Sequence, residues 1–325
     1  MSPRPAAAIA PGEPLAWAGL LLVDKPAGVT SHDVVDRVRR RLRVRSAGHL
    51  GTLDPGASGL LVIAIGAATR CATVWQGGLK TYEGVARFGL STDTQDTEGR
   101  VLRTAEPRVD ERELREAAAA MTGDLLQVPP MVSALKHEGR RLYEIARSGE
   151  TVEREPRPVR VERWEWRSFA PPDAAFTVRC SGGTYVRTLV HDLGERIGCG
   201  AALAALRRTR SEPFGVEAAC AWRDLDAPEA GTLLARNGIP IHEALAVLPA
   251  VTLDETGAEA LGRGRYVAVA PGAAPVGAGE RSIVIRDREG LALALGELRP
   301  GPGTSGTLAT PHVVFPWAVR EGKPA

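Results

Sequence analysis

The sequence contains no apolar run able to cross a bilayer. Its longest continuous stretches, such as Leu60 to Ile65, fall far short of the roughly 20 residues that a membrane helix needs. Cysteine is scarce: Cys71, Cys180, Cys199 and Cys220 lie far apart with no CxxC pair, so neither a zinc motif nor a disulfide framework is indicated. A reduced, cytoplasmic protein is expected. No G-x-G-x-x-G or Walker sequence follows a strand, which argues against a nucleotide cofactor. No internal repeat is present. Residues 1–14 mix Ala and Pro without a continuous apolar core, so they read as a disordered lead over 1–15 and not as a secretory signal. Lysine is nearly missing too. Of 41 basic residues only Lys25, Lys80, Lys136 and Lys323 are lysines. In a chain this rich in arginine, a retained lysine points to a site that wants a compact ammonium.

What is present is ordinary for a globular protein: 325 residues, 44% apolar and 25% charged, with length enough for two domains. A net charge of +2 does not announce a nucleic-acid binder, but its distribution is uneven. Arg37 to Arg45 carries six arginines and no acid. Further basic stretches hold Lys136, Arg140, Arg141 and Arg147; then Arg154, Arg157, Arg160, Arg163 and Arg167; then Arg207, Arg208 and Arg210. Acids gather elsewhere, at Asp93 to Glu98 and Asp110 to Glu116. Such segregation predicts one positive face for phosphates. The plainer alternative is a set of solvated helix faces.

Along the chain, Ala18 to Asp24 reads as a buried strand ending in a turn at Lys25-Pro26-Ala27-Gly28. Ser31 is the expected N-cap of a helix with Val34, Val35, Val38 and Leu42 inward. A Gly-rich loop, Ala47 to Gly59, leads into a strand at Leu60 to Gly66. Tyr82 to Gly89 is a further strand. Asp110 and Glu113 form a capping box for the next helix. Asp124 to Glu150 carries Pro129-Pro130 and a short basic helix, and reads as an excursion from the core. Val159 to Trp166 and Ala175 to Ser181 are strands, followed by a helix with Val186, Leu189, Val190, Leu193 and Ile197 on one face. From about Val251 short strands alternate with Gly and Pro, including Arg281 to Arg286 and Leu291 to Leu298. Strands and helices mix without βαβ alternation, so α+β is expected.

The densest chemical signal is Gly48-His49-Leu50-Gly51-Thr52-Leu53-Asp54-Pro55-Gly56-Ala57-Ser58-Gly59. One carboxylate sits among small residues between a helix and a buried strand. Pro55 biases Asp54 toward an extended conformation, and the glycines leave room for a bulky ligand. A lone acid argues against two-carboxylate glycoside hydrolysis and suits a covalent nucleophile. An Asx-turn that only closes the loop fits the spacing as well.

This segment resembles the catalytic loop of the TruB family of pseudouridine synthases, the tRNA pseudouridine-55 synthases. The likeness runs from about Gly19 to Phe214. It takes in Val23-Asp24-Lys25-Pro26 with Gly28 and Ser31, Lys80-Thr81-Tyr82, Pro129-Pro130 and Ser133-Ala134-Leu135-Lys136. It continues through Gly139-Arg140-Arg141-Leu142-Tyr143-Glu144, Gly183-Thr184-Tyr185-Val186-Arg187 and Leu206-Arg207-Arg208-Thr209-Arg210. Two positions depart: Val132 stands where the family often has an aromatic, and Leu50 replaces a small polar residue beside His49.

The resemblance implies a pseudouridine synthase fold, with a central mixed, largely antiparallel sheet flanked by helices. It implies a catalytic domain over 16–248, an RNA-binding thumb at about 124–150, and a small β-rich PUA-like domain over 249–325. Asp54 is the implied nucleophile, Arg187 the guanidinium that keeps it charged and aimed, and Tyr82 the phenol beside the base. His49, Tyr185, Leu206, Lys25, Lys136 and Arg141 are the implied substrate-binding residues. The expected activity is conversion of the T-loop uridine of tRNA to pseudouridine by base flipping, by a cytoplasmic monomer without cofactor or metal. Whether Asp54 attacks the sugar, attacks the base or assists a glycal route stays open. The alternatives are a synthase for another RNA, a guide-dependent relative, and a non-catalytic RNA-binding or tRNA-folding protein.

Overall fold

The computed structural model describes residues 17–226, 230–269, 282–301 and 307–319. The expected N-terminal lead lies outside the described residues. Along the first part of the chain run β1 (Gly19–Lys25), α1 (Ser31–Leu42), β2 (Ser58–Ile65), β3 (Lys80–Phe88), α2 (Glu111–Ala119), β4 (Gly123–Gln127) and α3 (Leu142–Arg147). They are followed by β5 (Arg157–Ala170), β6 (Asp173–Cys180), α4 (Val186–Ile197), β7 (Ala201–Ser211) and β8 (Cys220–Ala221). The strands form one mixed sheet in the order β8-β1-β2-β7-β3-β6-β5-β4. β1/β8 and β2/β7 pair in parallel and the other neighbours are antiparallel.

Both faces of the sheet are buried, which is why β1 reads as an unbroken apolar run rather than an alternating one. Leu21 and Val23 point to the side where α1, α2 and α4 pack, through Val34, Val38, Leu114, Leu189 and Leu193. Leu20, Leu22, Leu60 and Val62 point to the other side. That second face is covered in part by a separate sheet made of β9 (Ala250–Thr252), β10 (Val267–Val269), β11 (Ile283–Arg286), β12 (Ala292–Pro300) and β13 (Thr307–Val314). Its order is β9-β11-β12-β13-β10. Val284, Ala292, Leu295 and Phe315 enter the same apolar cluster as Leu20 and Val62.

Two local expectations change. Thr30, not Ser31, caps α1: its hydroxyl accepts from the Asp33 amide and the Asp33 carboxylate closes the box. Ser31 is thereby freed for another role. At α2 Asp110 caps alone, accepting from the Glu113 amide.

The expected basic face is less uniform than the runs suggest, because several of its arginines have carboxylate partners at the surface. Arg160 pairs with Asp124, Arg163 with Glu165, Arg207 with Asp24 and Arg210 with Glu212. Arg37 pairs with Asp226 and lies over the Trp222 ring at 4.0 Å. Runs of arginine record only sequence neighbours. For Arg37, Arg160 and Arg207 the carboxylates come from distant segments, which no run can show; for Arg163 and Arg210 they stand two residues on.

Candidate functional site

Asp54 sits in the loop between α1 and β2, and three elements fix that loop from below. The Ser31 hydroxyl, at the start of α1, accepts from the Leu53 amide and donates to the Leu53 carbonyl, both at 2.9 Å. Lys25, at the end of β1, donates to the carbonyls of Pro26, Val29 and Pro55 at 2.9, 2.6 and 3.3 Å. Arg208, on β7, donates to Leu60, Gly51 and Thr52 carbonyls at 2.7, 3.0 and 3.4 Å. Leu50, Leu53 and Ala57 are buried beneath. The loop is therefore built rigid, with only its polar tip turned outward.

Arg187 meets that tip from the first turn of α4. Its Nε lies 2.8 Å from Asp54 Oδ2, off the line that a hydrogen bond needs, while Nη2 donates to Oδ1 at 3.3 Å. The guanidinium is 4% exposed and the carboxylate 42%. Arg187 also donates to the Thr94 carbonyl at 2.9 Å and the Val132 carbonyl at 3.0 Å, and Asp96 lies 3.8 Å away. A buried cation held by two carbonyls cannot swing, so the carboxylate it holds keeps a fixed direction. At this burial Arg187 is not a surface charge on the flank of α4.

Two clefts open on either side of the pair, sharing Asp54, Arg187 and Leu206. The larger, about 470 Å³, is lined by His49, Tyr82, Tyr185, Lys80 and Arg208 among others, and Asp54 is its only acid. The smaller, about 300 Å³, adds Asp96 and Glu98. Both volumes suit a small organic ligand. The larger cleft has the aromatic wall that a planar base needs. Burial pushes the phenols of Tyr82 and Tyr185 up from their ordinary value, so both are protonated donors at neutral pH. Burial first, and then the Arg208 charge, pushes His49 down. Its imidazole is neutral in the cleft.

The structure thus brings Asp54, Arg187, Tyr82, His49, Tyr185 and Leu206 to one place. It does not bring Lys25 to the substrate. That side chain is fully buried and its donors face backbone carbonyls, so the expectation of substrate binding is corrected to one of loop support. Arg141 lies on an exposed hairpin in which Lys136–His137 pairs with Arg140–Arg141, and it donates to the Ala134 carbonyl at 3.3 Å. The side chain of Lys136 lies outside the described residues. Gln127 was missed altogether. Its amide both donates to the Tyr185 carbonyl at 3.1 Å and accepts from the Tyr185 amide at 2.8 Å, which locks the backbone before Arg187. A glutamine ending a strand gives no sequence signal for this.

Among the described residues, no group of three or more His, Cys, Asp or Glu side chains is placed to hold a metal ion. The chemistry available is that of one aimed carboxylate, two neutral phenols and a set of buried cations.

Comparison with known proteins follows the same lines. Residues 39–186 match the model of the TruB family pseudouridylate synthase N-terminal domain, and residues 187–245 match the tRNA pseudouridylate synthase B C-terminal domain. A tRNA pseudouridine synthase B of Opitutus terrae is 49% identical over 229 residues, 70% of this chain and 94% of that protein. One of Thiobacillus denitrificans is 42% identical over 284 residues, 87% of this chain and 93% of that protein. Among solved structures, a chain of a Cbf5-Nop10-Gar1 complex superposes with a TM-score of 0.70 at 27% identity, covering 91% of this chain and 84% of that one.

Proposed function

The chain belongs to the TruB family of pseudouridylate synthases and is a tRNA pseudouridine synthase, and from that membership we propose that it isomerises uridine 55 in the T-loop of tRNA. The observation that carries the mechanism is the Asp54–Arg187 pair, held at 2.8 Å where the two clefts meet. The target base leaves its stack at a cost of a few kcal/mol and enters the larger cleft against Tyr82. Asp54 then promotes rupture of the glycosidic bond, the ring turns, and C5 rejoins the sugar carbon. Arg187 keeps the carboxylate ionised in a water-poor site. Tyr185 and Leu206 wall the nucleotide, His49 fills space left in the RNA loop, and residues 124–150 close as a thumb with Arg141 and Lys136 on phosphates. The enzyme works as a cytoplasmic monomer and needs no cofactor. The C-terminal sheet is a PUA-like unit over 249–325.

The second reading, a synthase that works inside a complex like those of the Cbf5 neighbours, rests on fold likeness alone. The curated relatives at 42–49% identity are named for tRNA and favour the first.

The test is to incubate the purified chain with a full tRNA transcript in EDTA, without nucleotide, and map pseudouridine by sequencing. Product at position 55 is expected. Asp54→Asn should abolish it while RNA affinity stays within about one order of magnitude, because phosphate contacts lie elsewhere. Product only at another position would move the substrate assignment. A requirement for added metal would remove the mechanism.

A further inference from the structure

Three cations lie buried around the Asp54 loop, and none has an acid as partner. Lys25, Lys80 and Arg208 are 0%, 4% and 2% exposed. Lys80 donates to the carbonyls of Gln76 at 2.6 Å and Gly78 at 2.5 Å, and Lys25 and Arg208 likewise spend their donors on carbonyls. Among the described residues, no carboxylate lies within ion-pair distance of any of the three. Holding carbonyls does not require charge. A neutral amide donor would serve at far smaller desolvation cost, since an unpaired buried ion costs several kcal/mol. The charge itself therefore calls for an explanation.

The two clefts supply one. Arg208, Lys80 and Arg187 line the larger, with Asp54 as its only acid. The smaller gathers Asp54, Asp96 and Glu98. Across a single ion pair the lining changes sign. On the positive side Tyr82 is the cross-strand neighbour of Arg208 in the β3–β7 ladder, and both line the cleft.

Breaking the bond between the sugar C1′ and N1 leaves its electron pair on the uracil ring, whichever way Asp54 acts. The ring is then an anion until C5 bonds to C1′. C5 afterwards loses its proton and N1 takes one up, so the sequence consumes nothing else. Resting on the synthase reading above, we infer that Arg208 and Lys80 form a positive floor that stabilises the detached uracil anion, Arg208 acting through Tyr82. They do so without touching the sugar, by a fixed field in a site poor in water. The acidic cleft on the other side disfavours the anion, so the floor also sets the side on which the detached ring waits. Both are positioning residues in this scheme, and Asp54 remains the group that meets the substrate.

The experiment compares single-turnover conversion of tRNA transcripts carrying uridine or 5-fluorouridine at the target, read as loss of the parent nucleoside. The fluorinated ring leaves as the more stable anion and needs less help. Arg208→Gln should slow uridine conversion by about 100-fold and the fluorinated substrate by only about 10-fold, in the range known for removing one preorganised donor. Lys80→Gln should show the same inequality at smaller size. Arg208→Lys, which keeps the charge, should narrow the gap between substrates. Equal losses on both substrates in both variants overturn the inference, because a structural defect does not sense the leaving group. If Arg208→Gln melts below the assay temperature, Lys80→Gln decides, since its carbonyl partners lie outside the Asp54 loop. If the unaltered chain forms no pseudouridine in the uridine transcript, the synthase reading itself is wrong. Activity with equal losses removes only the positive floor.

Discussion

The Asp54 loop and the 124–150 excursion are both irregular segments beside the same clefts, yet they are built by opposite rules. The loop is short and is held from three elements: Ser31 on α1, Lys25 on β1 and Arg208 on β7. The first residues of the excursion belong to β4, the edge strand of the main sheet, and beyond that strand it closes largely on itself. Its hairpin pairs residues 136–137 with 140–141, Leu142 donates to Leu135, and Tyr143 to Ser133. Leu142 and Ile145 are buried but belong to none of the three main apolar clusters. Its firm outward ties sit at its base, where Val132 accepts from Arg187 and Gln127 clasps Tyr185. A segment with few ties to the core is one that opens at low free-energy cost. Asp54 is therefore fixed on a rigid support, while the excursion proposed as a thumb can adapt.

Arg187 is where the two regions meet, and removing it should break the comparison most severely. Arg187→Met takes away the partner of Asp54 and leaves the Thr94 and Val132 carbonyls without their donor. Single-turnover rate should fall by about 10³-fold, with each orphaned carbonyl costing about 1–3 kcal/mol in a melt. A variant within tenfold of full rate would show that the carboxylate needs no guanidinium.

Ser31→Ala tests the loop by itself. It removes a buried hydroxyl that makes two hydrogen bonds to Leu53. The expected loss is about 1–3 kcal/mol of stability, with a smaller fall in rate than Arg187→Met and unchanged RNA affinity. A drop in affinity without a drop in stability would assign Ser31 to the RNA surface instead. Arg141→Ala makes the converse test on the excursion. Stability should hold, affinity should weaken several-fold, and the slope of log affinity against log salt should shrink by about 0.7–0.9. An unchanged slope would remove Arg141 from the phosphate contacts.

The asymmetry between the regions also explains what could be read in the sequence. The Asp54 loop stands out because its glycines, Pro55 and single acid are contiguous. The motif letters of Tyr82, Tyr185, Arg187 and Leu206 mark partners that the sheet then brings together. The strands of the main sheet and the amphipathic α1 and α4 are legible from periodicity, as is the β-rich end of the chain. What could not be read is commitment over long separations. Lys25 looks like a substrate-facing cation until burial shows it holding carbonyls. Arg160 and Arg207 look like a phosphate face until Asp124 and Asp24 are found beside them. The cover on the back of the main sheet, through Val284 and Phe315, joins strands some 200 or more positions apart in the chain. No periodicity records such a pairing. Charge and pattern show what a residue can do, and only the fold shows whether it has already been used.

The smallest expected effect is electrostatic, and it separates the cost of a buried cation from its use. Burial lowers the Lys80 ammonium from the ordinary 10.5 to about 8. Between those two values the unfolded chain binds a proton that the folded chain does not, so this group makes stability rise with pH across that window. Below about pH 8 both states hold the proton, and the full desolvation cost, at most about 3 kcal/mol, is present. Cys71 and Cys220 act in the opposite direction: burial holds their thiols up at about 11 and about 12, so the unfolded chain loses protons first and stability falls above pH 9. The net curve of the unaltered chain is thus nearly uninformative, and a difference is needed. In Lys80→Met the thiol contribution is retained and the lysine contribution is gone. The variant's melting temperature relative to the unaltered chain should therefore be most favourable near pH 7 and decline by a degree or two toward pH 10. A constant difference across that range would mean that folded Lys80 keeps its proton to near pH 10, so burial does not lower it; a decline already running at full slope at pH 7 would mean that Lys80 is neutral there, and the positive floor of the larger cleft would then rest on Arg208 alone.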